Sequence, residues 1–323
     1  MLQDGDCAKP IFSNKAATMA TAHAPALILL IGRNGQIGRE LAGKLGDLGR
    51  VVALDRQDLD LENPDQIRRV LRDTSPQVIV NAAGYTAVDR AEQDETTCMR
   101  VNAHGPAILA EEAFRLGSLL VHYSTDYVFD GAKAGPYLES DRLHPLNVYG
   151  KSKQVGEEAI NASGCDHLIL RTSWVYAAHG RNFLRSILSR AAAGEQLRVV
   201  ADQFGAPTWA ASIAGATASV LAQFAASDTA TRASLAGIYH MTASGETSWH
   251  GFAKAIMEFS AFERKPVVHA IPGSAYPAVT SRPRNSVLSN AKLRECFGIV
   301  MPGWREALDR CMGEMTVSRN PGK

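Results

Sequence analysis

Hydrophobic and polar positions in the first half of the chain switch between two periods. Ala26–Ile31 is an unbroken apolar run closed by glycine, the pattern of a strand buried on both faces. From Gln36 to Leu48 the apolar residues Ile37, Leu41, Leu45 and Leu48 recur at helical spacing. Val51–Leu54 predicts a second strand. Pro64 suits the first turn of a helix whose inner face carries Ile67, Val70 and Leu71. Val78–Val80 predicts a third strand, ending at Asn81-Ala82-Ala83-Gly84. A helix over Val101–Leu116, a strand over Leu119–Ser124, a helix over Asn147–Ile160 and a strand over Leu168–Arg171 continue the series. Strands and helices in strict alternation predict an α/β fold, a doubly wound parallel sheet of the Rossmann type.

Beyond Ser173 the alternation loosens. Loops rich in Gly, Pro and Ser interrupt the chain at Gly205–Thr208, Ala243–Thr247 and Pro272–Pro283. Helical periods remain at Phe183–Ala193, Ala211–Ala226 and Trp249–Phe259. A last helix from Trp304 sets Trp304, Ala307, Leu308, Cys311, Met312 and Met315 on one side, a core stripe. There is no repeat at solenoid spacing. The pattern divides the chain into a disordered leader (1–25), a dinucleotide-binding domain (26–172) and a smaller, partly interleaved substrate-binding lobe (173–323). Residues 211–226 are expected to pack back on the first domain.

Composition narrows the function. The formal net charge of +1 gives no global pull toward nucleic acid or an anionic membrane. Local arginines still allow a small anionic ligand. The cysteine count is odd (Cys7, Cys98, Cys165, Cys296 and Cys311) and contains no C-x-x-C pair, which argues against a disulfide framework and fits a reducing cytoplasm. No apolar run approaches the roughly 20 residues of a membrane helix. The leader lacks the apolar segment of a signal peptide, and Met19 offers an alternative start within it.

Two constellations carry chemistry. Gly32-Arg33-Asn34-Gly35-Gln36-Ile37-Gly38 follows a strand and opens a helix, the context of a phosphate cradle, though its G-x-x-G-x-x-G spacing departs from G-x-G-x-x-G. Gly32 allows a tight exit from the strand, Gly35 lets the backbone approach a pyrophosphate, and Gly38 permits close helix packing. The helix N-terminus, with Gln36 and Ile37, then offers free N–H groups and a positive dipole end. Asp55-Arg56 closes the second strand, where an acid takes ribose hydroxyls and an arginine meets a 2′-phosphate. Both are present, so NADH and NADPH stay open. Asp60 and Leu61 are read as lining the adenine. The small side chains of Ala82, Ala83 and Gly84 leave room for a dinucleotide to cross the sheet edge.

The second constellation is a proton-transfer apparatus. Tyr149 and Lys153 stand four residues apart on one helix face, 24 residues after the strand-ending Thr125. An ammonium beside the phenol, with an oxidised nicotinamide, would favour the phenolate. Bringing a phenol of pKa about 10 near neutrality requires about 4 kcal/mol of differential interaction. Lys153 also suits the nicotinamide ribose hydroxyls, and Thr125 a substrate carbonyl. Together with the glycine turn, this order points to a nicotinamide-dependent reductase. His122, His144, His240 and His250 show no metal-ligand spacing, and there is no G-x-S-x-G elbow or H-E-x-x-H motif.

The chain resembles the dTDP-4-dehydrorhamnose reductases, a family of extended short-chain dehydrogenases/reductases, from about Leu27 to the C-terminal helix. The matching segments are Gly32–Gly38, Asn81–Asp89, Tyr123–Phe129, Asn147–Lys153, Arg171–Tyr176 and Asp202–Thr208. Tyr239-His240 through Trp249-His250 and Ala275-Tyr276-Pro277 through Ser286 match as well. The resemblance implies NADPH or NADH as cofactor and hydride transfer to C4 of a dTDP-6-deoxy-4-keto-hexose, giving dTDP-L-rhamnose. By position it implies that Tyr149 protonates the C4 oxygen, Lys153 binds the ribose and Thr125 polarises the ketone. Thr86, Val88, Asp126 and Trp174 would contact the sugar. Asn182, Phe183, Gln203 and Phe204 would lie toward the nucleotide diphosphate, with Arg282 or Arg284 as charge partner.

One position departs from the pattern. Some members hold magnesium at a dimer interface through glutamates, and Glu40 matches one of these. The second falls on Ala211, so no metal is expected and the state is left as monomer or homodimer. Two alternatives share the scaffold. One is a non-catalytic subunit such as the regulatory subunit of methionine adenosyltransferase, and the other is a reductase or epimerase of a different nucleotide sugar. Cofactor oxidation in the presence of a nucleotide-sugar ketone separates them.

Overall fold

The computed structural model describes residues 26–277 and 279–319. The leader expected over 1–25 lies outside the described residues. Six strands, β1 (Leu27–Ile31), β2 (Arg50–Leu54), β3 (Val78–Asn81), β4 (Leu119–Thr125), β5 (His167–Thr172) and β6 (Gly237–His240), form one sheet in the order β6-β5-β4-β3-β1-β2. Every pairing in it is parallel.

The helices cover both faces, and strand alternation shows why. In β1, Ile28 and Leu30 enter one hydrophobic core while Leu29 and Ile31 enter the other. In β5, Leu168 and Leu170 point one way and Ile169 the other. On the first face lie α1 (Gln36–Lys44) and α6 (Ala210–Ala226), which pack on each other. On the second lie α2 (Pro64–Thr74), α3 (Gly105–Leu116) and α4 (Val148–Ala162).

Helix ends follow local chemistry. Asn63 caps α2 by accepting from Gln66 N–H, with Pro64 at the first helical position. The helical period read from Val101 is not one regular helix. Arg100–His104 forms a π turn, and α3 starts at Gly105. Gly117, at φ 66°, closes α3 in the left-handed region that favours glycine.

A third core joins α5 (Phe183–Ala192), α7 (Trp249–Phe259) and α8 (Trp304–Arg319) around Tyr176, Trp209, Phe252 and Leu308. The stripe of α8 enters this core through Ala307, Leu308 and Cys311. Leu197–Val200 pairs in parallel with Val268–Ile271, and Phe204–Gly205 pairs antiparallel with Thr247–Ser248. The sheet itself takes its edge strand β6 from the second half of the chain, which the loosened pattern did not predict. Among the described residues no helix is long and apolar enough to cross a membrane.

Candidate active site

The order in which successive strands are added reverses between β1 and β3, and a cavity of about 610 Å³ opens at the carboxyl ends of these strands. Such a switch point is where doubly wound sheets bind ligands. Gly32, Gly35, Gln36, Ile37, Asp55, Arg56, Asp60, Leu61, Ala82, Ala83, Gly84, Tyr149 and Lys153 all line this cavity. So does Thr86.

Gly32 and Gly38 of the first turn are required by space. Gly32 sits at φ 91°, and a Cβ there would lie 2.7 Å from Ala83 N. A Cβ on Gly38 would lie 2.1 Å from the Gly32 carbonyl oxygen, so Gly38 seats α1 directly on the turn. Gly35 occupies the N-cap of α1 and supplies no side-chain cap. The first N–H groups of α1 therefore face the cavity without a side-chain acceptor, as an anion site needs. These features fit the pyrophosphate of a dinucleotide.

At the far end of the cavity, the Arg33 guanidinium donates to the Asp55 carboxylate at 2.6 Å. With the Gln57 N–H it holds the Asp55 carboxyl below its usual range. Arg56 pairs with Glu62 at 2.5 Å. Arg33 was not singled out from the sequence, because its role depends on a partner 22 residues away.

Helix α4 presents Tyr149 and Lys153. Asn147 caps it, accepting from Gly150 N–H at 2.8 Å. Cβ atoms at Gly150 and Gly156 would lie 2.1 Å from Tyr127 O and 2.2 Å from Asn102 O. Both glycines let α4 press against the loop after β4 and against the π turn. Lys153 is consequently buried, its Nζ donating to Tyr123 O at 2.6 Å and lying 2.9 Å from His122 Nε2. Burial lowers its pKa to about 8, with Glu157 and Cys98 opposing.

The Tyr149 phenol behaves differently from the sequence expectation. Burial pushes its pKa up, the Thr125 hydroxyl opposing and the charges of Asp126 and Cys98 adding to the rise. Among the protein's own groups, desolvation outweighs any help from Lys153, whose Nζ turns to β4 instead.

Thr125 ends β4, donates to Asp126 Oδ1 at 3.0 Å and accepts from Tyr127 N–H at 3.2 Å. Burial raises the Asp126 carboxyl to about 6, against hydrogen bonds from Ser286 and Thr125. Ser124 Oγ, Asp126 Oδ2, Thr172 Oγ1, Asp89 Oδ1 and Arg282 Nε are buried without hydrogen-bond partners. Unpaired polar atoms gathered at the ends of β4 and β5 suit a polar ligand. Arg282 also pairs with Asp89, far from it in the chain, at 2.7 Å. Val88, next to it, opens a short helix.

Trp174 is held at φ 48°, a strained conformation for a bulky residue. Its indole stacks on Trp249 with ring centroids 3.6 Å apart, and a Cβ on Gly205 would lie 2.6 Å from its Cε2. Phe183 packs behind, 4.7 Å from Trp249. Asn182 caps α5 and donates to Gln36 Oε1, Ala177 O and His179 O, so its amide ties the start of α5 to the start of α1. Phe204 is exposed, its N–H bonded to Arg284 O and its carbonyl to Ser286 N–H. Gln203 lies beside Gly273, and the Arg284 side chain is exposed. Asn102, His179 and Arg181 also line the cavity but stand out in no sequence motif, and Thr172, within the matching segment Arg171–Tyr176, lines it too.

Glu40 accepts from His179 Nε2 at 2.8 Å, and Ala211 stands near the start of α6. Among the described residues no cluster of His, Cys, Asp or Glu suits a metal ion. Cys98, Cys165 and Cys311 are buried free thiols.

Residues 26–317 match the RmlD substrate binding domain family. A dTDP-4-dehydrorhamnose reductase of Burkholderia thailandensis is 49% identical over 296 residues, covering 89% of this chain and 98% of that protein. This chain belongs to the dTDP-4-dehydrorhamnose reductase family. Solved members of the family share its fold. The Clostridium acetobutylicum reductase superposes with a TM-score of 0.83 at 33% identity, covering 90% of this chain and 99% of that one. The Bacillus anthracis reductase, solved in complex with NADP, gives 0.82 at 32% identity, with the same coverage of 90% and 99%.

Proposed function

We infer that this chain catalyses the NAD(P)H-dependent reduction of the C4 ketone of dTDP-4-dehydro-6-deoxy-L-mannose to dTDP-L-rhamnose, the last step of dTDP-rhamnose biosynthesis. Family membership over nearly the whole described chain carries the reading. Tyr149 and Lys153 line the same cavity as the glycine turn, which supports the reading.

The nicotinamide, when bound, supplies the hydride. The N-terminus of α1 and the small residues Ala82, Ala83 and Gly84 hold the dinucleotide across the switch point. Lys153 takes the nicotinamide ribose hydroxyls. Thr125 donates a hydrogen bond to the ketone oxygen. Tyr149 gives its phenolic proton to that oxygen as it gains charge, so the C=O becomes CH–OH. A phenol whose pKa burial has raised keeps this proton until the oxygen needs it. Thr86, Val88, Asp126 and Trp174 contact the sugar. Gln203, Phe204 and one of Arg282 and Arg284 face the nucleotide diphosphate. Asn182 and Phe183 support that wall from behind.

The substrate is a nucleotide sugar, the compartment the cytoplasm, and neither nucleic acid nor membrane takes part. The enzyme works as a monomer or homodimer, which size-exclusion chromatography with light scattering distinguishes. The deciding experiment follows nicotinamide absorbance with NADPH, then NADH, on adding dTDP-4-keto-L-rhamnose generated in situ. Oxidation that needs both enzyme and sugar, with dTDP-L-rhamnose as product, is the expected result. Folded protein that binds cofactor but never oxidises it would favour a regulatory subunit or another sugar nucleotide.

A further inference from the structure

The segment that leads into α5 carries an unpaired cation to the edge of the glycine turn. His179, Gly180 and Arg181 line the same cavity as Gly32, Gly35 and Gln36. This segment is tied to α1 on both sides of Arg181. His179 Nε2 lies 2.8 Å from Glu40 Oε1, and Asn182 Nδ2 donates to Gln36 Oε1 at 2.9 Å. Gly180 turns at φ 69°, and a Cβ on it would stand 3.8 Å from Gln36 Cγ. Arg185 Nη1 adds a bond to Ala178 O at 2.7 Å. Between these ties the Arg181 side chain is exposed and, among the described residues, has neither an ion pair nor a hydrogen bond.

Charge accounting gives this side chain a task. A dinucleotide carries a negative charge on each phosphate of its pyrophosphate. The turn and the start of α1 meet those charges with backbone N–H groups and a helix dipole, which are partial charges only. The other cations that line the cavity are committed elsewhere. Arg56 pairs with Glu62 at 2.5 Å, and Lys153 is buried with its Nζ donating to Tyr123 O at 2.6 Å. A guanidinium at a phosphate site offers a bidentate, charge-assisted contact, and Arg181 is free to make one.

From this geometry we propose that Arg181 is a binding residue for the cofactor pyrophosphate, supplying the full positive charge that the glycine turn lacks. The anchors at His179 and Asn182 hold the backbone on either side, so binding has only the arginine side chain to order. The pyrophosphate is common to NADH and NADPH, so Arg181 serves both. Arg33 differs, because it stands at Asp55, where the two cofactors are told apart. The proposal rests on the dinucleotide part of the reading above and not on the identity of the sugar.

The test is calorimetric titration of the full-length protein with NADPH, NADH and ADP-ribose, the last of which keeps the pyrophosphate but lacks the nicotinamide. In Arg181→Ala the Kd should rise about tenfold or more for all three, as loss of a charge-assisted hydrogen bond requires, and its dependence on salt should flatten. Arg181→Lys keeps the charge without the planar fork and should recover part of the affinity. The melting temperature of Arg181→Ala without ligand should match that of wild type, since Arg181 has no protein partner to lose. Unchanged affinity in Arg181→Ala overturns the proposal. So does a loss confined to NADPH, or a loss in Arg181→Lys as large as in Arg181→Ala with the salt dependence of wild type. The expected losses in a protein that reduces no sugar nucleotide uphold the assignment and count only against the reductase reading, whereas a wild type that binds none of the three overturns both.

Discussion

Asp126 offers a direct measure of how far the site is built for a ligand rather than for stability. Its carboxyl is buried, Oδ2 has no partner, and burial raises its pKa from 3.8 to about 6. An acid with a raised folded pKa binds its proton more tightly in the native state than when unfolded. Its stabilising contribution is therefore complete below the unfolded value and disappears as pH rises through about 6. The full shift corresponds to about 3 kcal/mol, of which about 1.4 kcal/mol is regained on acidifying from about pH 8 to about pH 5. Asp126→Asn cannot ionise and lacks this dependence. Any fixed cost of the amide in that pocket is the same at every pH, so the slope isolates ionisation. In thermal melts, the melting temperature of the variant minus that of wild type should fall by about 2 °C between about pH 8 and about pH 5, using about 1.5 °C per kcal/mol for a chain of this size. A difference that is flat across this range, or that grows on acidification, would refute the reasoning. Turnover should fall in the variant wherever the ionised carboxylate accepts from a sugar hydroxyl, the usual exchange of stability for function.

Four further outcomes are expected. Tyr149→Phe should lower turnover by about 10²–10⁴-fold while cofactor affinity, followed by fluorescence titration, changes little; full activity would remove Tyr149 as proton donor. Gly38→Ala puts a methyl 2.1 Å from the Gly32 carbonyl oxygen, so dinucleotide binding measured by calorimetry should be lost or the fold destabilised. Gly205→Ala drives a methyl into the Trp174 indole, and KM for the sugar nucleotide should rise by about tenfold or more, as about 1.4 kcal/mol of misplaced contact requires, with cofactor KM unchanged. Arg33→Ala leaves Asp55 without its countercharge, so KM should rise for NADPH by about 10–100-fold, the worth of a charge-assisted hydrogen bond, and far less for NADH. Equal effects on the two cofactors would place Arg33 away from the 2′-phosphate.

Much of this molecule is legible along the chain. The run Ala26–Ile31 reads as a strand because parallel strands are buried on both faces, and Ile28 and Leu29 do enter opposite cores. The turn Gly32–Gly38 reads as a phosphate cradle because backbone approach excludes a Cβ, a demand that acts over a few residues. Tyr149 and Lys153 share a helix face because the helix period puts them there. Edge strand β6 escaped notice because four residues with two apolar side chains, Ile238 and Tyr239, carry too little period to stand out. The π turn at Arg100–His104 escaped because its apolar spacing continues into α3.

What the sequence determined by itself was local: strand and helix periods, glycines that only a tight turn needs, and the order of the reactive side chains. Tertiary structure alone decided the rest. It set Arg33 on Asp55, stacked Trp174 on Trp249, and turned Lys153 toward His122 instead of leaving it free to charge the phenol beside it. Those partners lie far apart in the chain. The protonation of Tyr149, Asp126 and Lys153 is governed first by burial, a property that no residue has until the sheet and its helices have closed around it.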